Sequence, residues 1–191
     1  SEVLMLSGKV KDSKIILQDA TLLVSKQIRK RDRDKGYNLI AQCLMKRGKI
    51  KKSLRLVSNI EHNIEKAKAA SEISIIRFIQ GEERESLVWV SKIENHYWKT
   101  EAYSRISKLL RDNNKKVDSK IILDKCLNSV NKIKSSYNRI KALILISKEL
   151  MEMGEKKKSL DLVSKIEDYW DRDKAFRELS KILIEKGDKN G

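Results

Sequence analysis

Residues 48–61 read GKIKKSLRLVSNIE, residues 81–94 read GEERESLVWVSKIE and residues 154–167 read GEKKKSLDLVSKIE. In each stretch a Gly is followed by Ser five and Leu six positions later. The same spacing to Ser recurs at Gly8 with Ser13 and at Asn114 with Ser119, and Gly187 supplies a last anchor. The anchors 8, 48, 81, 114, 154 and 187 are separated by 40, 33, 33, 40 and 33 residues. The first three map onto the last three at an offset of 106, and DSKIIL at 12–17 returns as DSKIIL at 118–123. A three-repeat unit duplicated whole accounts for both facts, and a fixed period of this size marks an architecture of stacked repeats.

The residues around each anchor read as helix. Twelve positions before it stand Gly36, Ala69, Ala102, Ala142 and Ala175; eight before stand Ile40, Ile73, Ile106, Ile146 and Leu179. Four before stand Leu4, Leu44, Leu110, Leu150 and Leu183, with Arg77 breaking the column. Spacings of four place these residues on one helical stripe. The Gly or Asn then ends this first helix, because both accept a left-handed cap conformation cheaply. A second helix follows, with Leu54, Leu87 and Leu160, then Val57, Val90 and Val163, then Ile60, Ile93 and Ile166 three apart on one face. Ser74, Ser107, Ser147 and Ser180 in first helices, and Ser53, Ser86 and Ser159 in second helices, occupy fixed places where a small side chain lets two backbones approach. They are read as packing residues, not nucleophiles. Trp89 stands where Leu56 and Leu162 do and reads as core; Trp98 and Trp170 are expected to close second helices and to wedge between repeats.

This pattern resembles the tetratricopeptide repeat family, a helix pair in about 34 residues. The resemblance rests on an apolar residue then a small one in the first helix, a turn Gly, and a small residue five later. Ile146-Ser147, Gly154 and Ser159 follow it, as do Leu179-Ser180 before Gly187. The chain departs from the family in having no Pro, in carrying Ile60, Ile93 and Ile166 where a small residue is usual, and in its two 40-residue repeats. The resemblance implies an all-α, right-handed α-solenoid of antiparallel helix pairs, about five pairs plus a terminal helix. Residues 1–191 then form a single helical-repeat domain of two blocks, about 1–106 and 107–191, cut from a longer array. Ser1 corresponds to Ser107, inside a first helix. The stretch LIAQCLMKRGKIKKSL at 39–54 is superficially similar to pentatricopeptide repeats, but no polar base-reading pair recurs.

Composition fits this picture and narrows the chemistry. Charged residues make up 37% of the chain against about a quarter in an ordinary domain, and Gly is only seven, too few for the turns of a sandwich or barrel. No apolar run reaches the roughly 18 residues of a membrane helix, and no charged-then-apolar leader opens the chain, although it begins without Met. Cys43 and Cys126 form no CxxC motif and read as core residues of a protein in a reducing, cytoplasmic setting, with secretion left open. His62 and His96 fall in turns without a matching ligand set, and Asp171 and Asp173 start a helix. No catalytic constellation, metal site or cofactor is therefore expected.

Two surfaces remain as candidate binding sites, neither of which fixes an oligomeric state. Residues 26–55 hold twelve basic side chains and two acids, a net +10 of the chain's +16. The matching window 132–161 nets only +4. Arg29, Arg31, Arg33, Lys46, Arg47, Lys51, Lys52 and Arg55 mark a patch for RNA or another polyanion, although only Tyr37 interleaves as a stacking aromatic. The second surface is the concave face that family geometry assigns to first helices. Six before the anchors stand Gln42, Ile75, Lys108, Lys148 and Lys181; three before stand Met5, Met45, Phe78, Arg111, Met151 and Ile184. Exposed together, Gln42, Met45, Phe78, Lys108, Arg111, Lys148, Met151 and Lys181 make a Lys-edged apolar groove for an acidic or amphipathic protein segment.

Overall fold

A computed structural model describes residues 10–27, 29–185 and 187. The sequence positions Ser1, Leu4, Met5 and Gly8, and the side chain of Ser13, lie outside what it describes. Among the described residues the fold is all-α, with ten helices and no strand. They are α1 (Val10–Ser25), α2 (Lys30–Lys46), α3 (Ile50–Ser58), α4 (Asn63–Ile79), α5 (Glu83–Ser91), α6 (His96–Asp112), α7 (Lys116–Val130), α8 (Ser136–Glu152), α9 (Lys156–Ser164) and α10 (Tyr169–Glu185).

The first helices α2, α4, α6, α8 and α10 are each 17 residues long. The second helices differ with the repeat length. In 33-residue repeats α5 has nine residues, as do α3 and α9, while in the 40-residue repeats α1 has 16 and α7 has 15. The extra length thus sits in the second helix. Seven residues are close to two helical turns, so the insertion keeps the apolar face in register.

Every described anchor ends its helix as its residue type requires. Gly48, Gly81, Asn114, Gly154 and Gly187 have φ of 68°, 90°, 61°, 83° and 75°. At Gly48 the pattern is a Schellman cap: its N–H reaches Met45 O at 2.8 Å, and Lys49 N–H reaches Leu44 O at 2.8 Å. The same pair of bonds recurs at Gly81, Asn114 and Gly154.

The recurring serines do more than save space. Ser53 Oγ donates to Ala41 O at 2.7 Å, Ser86 Oγ to Ser74 O at 2.6 Å, Ser119 Oγ to Ser107 O at 2.8 Å and Ser159 Oγ to Ser147 O at 2.7 Å. Each bond spans twelve residues and ties a second helix to the first helix before it. All four donors are fully buried, so each hydroxyl needs its partner, and each bond contributes about 0.5–1.5 kcal/mol. In the α6–α7 pair, Ser119 meets Ser107 near the turn while Ser129 Oγ lies 3.3 Å from His96 O at the far end. Contacts twelve and then 33 residues apart define an antiparallel hairpin.

The chain divides into two compact units, one up to Ile93 and one from Glu94. The duplicated blocks divide elsewhere, within α6. In the first unit α2 packs on α1, α3 and α4, and α4 on α5. In the second, α6 packs on α7 and α8, and α8 on α9 and α10. The column eight before the anchors is buried throughout, from Ile40 to Leu179, as are the Val and Ile columns of the second helices. The Leu column lies at the edge: Leu54 and Leu87 are half-buried and Leu160 is exposed. Gly36 replaces the usual Ala because a Cβ there would lie 2.6 Å from Val24 Cγ2 on α1. Arg77, in the Leu column, is buried and pairs with Glu82 at 2.6 Å.

The tryptophans correct one expectation. Trp98 and Trp170 open α6 and α10 instead of closing second helices. The helices begin earlier because Asn95 Oδ1 accepts from Tyr97 N and Trp98 N, and Asp168 Oδ1 from Asp171 N. Trp170 is 76% exposed and so fills no wedge; it stacks edge-on with Tyr169.

Candidate functional site

Four of the expected groove residues meet in the second unit. Lys108 and Arg111 of α6, Lys148 of α8 and Lys181 of α10 line one cleft of about 430 Å³. Positions three or four apart on a helix share a face, and three first helices packed in succession bring those faces together. The cleft also holds Glu149 and Glu152 of α8, Glu178 and Glu185 of α10, and Ile182. Its charge alternates and is not a Lys edge around an apolar floor. Reading two columns alone missed these carboxylates, which stand two, five and nine positions before the anchors.

The pairing is specific. Arg111 Nη1 lies 2.9 Å from Glu149 Oε2, with both side chains largely buried, and Arg111 also reaches Asp112 at 3.1 Å. Lys148 Nζ lies 2.6 Å from Glu178 Oε2. Burial pushes the Glu149 carboxyl above its ordinary value, more than Arg111 and Lys108 pull it down. Lys108 and Lys181 are exposed.

The apolar half of the expected groove is corrected. Met45, Phe78 and Met151 are 0%, 6% and 1% exposed, so they face no partner. The position three before an anchor packs against the position five before the next: Met45 joins Ile76 in one apolar cluster and Met151 joins Ile182 in another. Arg111 and Glu149 occupy the same two positions as an ion pair. Ile75 is also buried, Gln42 is half-buried and bonded to Asn38 Oδ1 at 3.0 Å, and Ile184 is exposed.

The basic run of 26–55 divides into two clusters. Arg29, Arg31 and Arg33 lie at the start of α2, while Lys46 and Arg47 lie at its end and Lys51, Lys52 and Arg55 on α3. The 17 residues of α2 set its ends about 25 Å apart. The first cluster is partly neutralised. Glu61 lies 2.9 Å from Lys30 and 2.6 Å from Arg33, and these cations, Lys30 foremost, hold its carboxyl below the ordinary range. Asp34 is buried and accepts from His62 N at 2.8 Å and Glu61 N at 3.3 Å, tying the turn that leads into α4 to α2. The second cluster, residues 46–55, contains six basic residues and no acid.

Cys126 and His96 both lie within the α6–α7 pair. Cys126 is fully buried 3.7 Å from Thr100 O, and burial pushes its thiol far up, which keeps it protonated. His96 starts α6 with Nδ1 3.5 Å from Ser129 Oγ; burial, Lys99 and Lys132 push its imidazole down. Among the described residues no group of three or more His, Cys, Asp or Glu is arranged to hold a metal ion. Among them, too, no helix is long and apolar enough to cross a membrane. Compared with protein-family models, curated proteins and solved structures, the chain matches none.

Proposed function

We propose that this chain is a non-catalytic interaction scaffold, a right-handed α-solenoid of tetratricopeptide type, which holds a protein segment in the cleft between α6, α8 and α10. The observation that carries the reading is the convergence of Lys108, Arg111, Lys148 and Lys181 from three successive helices on one cleft. Arg111 and Lys148 are engaged by Glu149 and Glu178, which leaves Lys108 and Lys181 to meet carboxylates of an acidic, amphipathic segment. The alternating charge selects a partner by pattern as well as by sign. Free Cys43 and Cys126 fit a reducing, cytoplasmic setting.

A labelled amphipathic peptide of Glu and Leu tests this by fluorescence anisotropy. The double variant Lys108→Glu/Lys181→Glu, at exposed positions, is expected to weaken binding about tenfold or more. Unchanged affinity removes the cleft from consideration.

One observation favours a second reading: the acid-free turn between α2 and α3. On this reading Lys46, Arg47, Lys49, Lys51, Lys52 and Arg55 hold the phosphates of RNA or another polyanion. Retention on single-stranded RNA should then fall steeply with salt, by a log–log slope of about −0.7 per phosphate engaged. No retention at low salt excludes it.

A further inference from the structure

We propose that the starts of α6, α8 and α10 bind an uncharged, proline-rich segment in polyproline II conformation, on a row of aromatic rings separate from the lysine cleft. All three helices belong to the second unit. Seventeen positions before the anchors stand Arg31, Ile64, Tyr97, Tyr137 and Trp170, so every first helix of that unit carries an aromatic there. The cleft residues Lys108, Lys148 and Lys181 each follow eleven residues later. Eleven residues are close to three helical turns, which puts the rings on the same face as the lysines and about 16 Å along it.

The rings are open and held in place. Tyr137 is 61% exposed although α8 packs against α6 on one side and α10 on the other, so the exposure belongs to the position in the repeat. Trp170 is exposed too, and Tyr97 is half-buried. Tyr97 meets Trp98 edge-on at 5.2 Å, and Trp170 meets Tyr169 edge-on at 5.8 Å. Lys141 Nζ sits 4.2 Å from the centre of the Tyr137 ring and leaves the opposite face free. The rings of α6 and α8 adjoin: burial foremost pushes the Tyr97 hydroxyl up, and Tyr137 and Lys141 of α8 both act on it. Rings fixed before binding lose little freedom when a partner arrives. Beside Tyr137 opens a pocket of about 330 Å³ floored by Ile140, Leu143 and Ile166.

Pitch and charge choose the occupant. Packed helices lie about 8–10 Å apart, so one ring per helix repeats at that distance. Polyproline II has three residues per turn and rises about 3.1 Å per residue, so every third residue returns to one side after about 9 Å. A strand returns to one side after about 7 Å and falls out of step. A segment with Pro at its first, fourth and seventh residues therefore meets the three rings in turn. The pocket rim sets Arg139 and Lys165 against Glu167, Asp168 and Asp171, and one turn on from the rings stand Glu101, Lys141 and Lys174. These four cations and four anions cancel, in a chain of net +16. A surface without local net charge gives phosphates little hold and accepts uncharged prolyl rings.

Fluorescently labelled decaproline tests this on the full chain by anisotropy. Saturable binding is expected, weakened about tenfold by Tyr137→Ala and by Trp170→Ala, both at exposed positions. Lys108→Glu/Lys181→Glu should leave it unchanged, so this row and the lysine cleft fail separately. No binding of decaproline, unchanged affinity in either alanine variant, or loss in the lysine double variant overturns the proposal. So does single-stranded RNA that binds the wild type and is released by Tyr137→Ala, which would make the rings a base-stacking platform.

Discussion

The α2–α3 and α8–α9 hairpins lie 106 residues apart in sequence and solve the same packing problem with nearly the same residues. Gly48 and Gly154 cap the first helix, Ser53 and Ser159 donate across the pair at 2.7 Å, and Met45 and Met151 are buried. Their surfaces diverge. The α2–α3 turn carries only cations, whereas Glu149, Glu152 and Glu155 surround the α8–α9 turn, and Glu155 pairs with Lys120 at 2.6 Å. Buried positions are constrained because a lost contact costs several kcal/mol, while exposed ion pairs contribute about 0–1 kcal/mol and drift freely. The two hairpins therefore keep the same buried residues while their surface charges differ.

The largest expected effect breaks the equivalence at its core. Met45→Ala and Met151→Ala should each cost about 2–5 kcal/mol in denaturant unfolding, since both leave a cavity in a closed cluster. A marked inequality would show that the two hairpins are not packed alike. A smaller effect comes from the contact that is apolar at Met45 and Ile76 but ionic at Arg111 and Glu149. Arg111→Met should cost about 2–3 kcal/mol at neutral pH by stranding a buried carboxylate, and Arg111→Met/Glu149→Leu should recover most of it. The sign with pH follows from Glu149, whose folded carboxyl already sits above its ordinary value. Without Arg111 it rises further, so the loss is full where Glu149 is ionised and shrinks as pH falls through its folded pKa. The smallest effect is at the caps. Gly48→Ala and Gly154→Ala should each cost about 1 kcal/mol, because a Cβ at either site meets nothing within 4 Å and only the left-handed backbone resists it.

Much of the fold was legible in the sequence because it is local. Helix stripes four apart, a Gly or Asn after the helix and a small residue five later are short-range signals, and the first helices α2, α4, α6 and α8 are followed by them. The repeated serines read as packing residues are buried, except Ser180, which is exposed, but the hydrogen bonds to Ala41, Ser74, Ser107 and Ser147 were not visible. A carbonyl twelve residues away is chosen by the way two helices cross. The cleft was legible in part: the Lys column was found, while the carboxylates between its members were not.

Sequence alone determined where each described first helix stops, that two blocks repeat at 106 residues, and which columns are apolar. Only the tertiary structure decided that Met45, Phe78 and Met151 are buried, that the basic run splits across the two ends of α2, and that Trp170 faces solvent. The physical reason is that a residue's conformation depends on its neighbours along the chain, whereas its exposure depends on what the next helix brings against it.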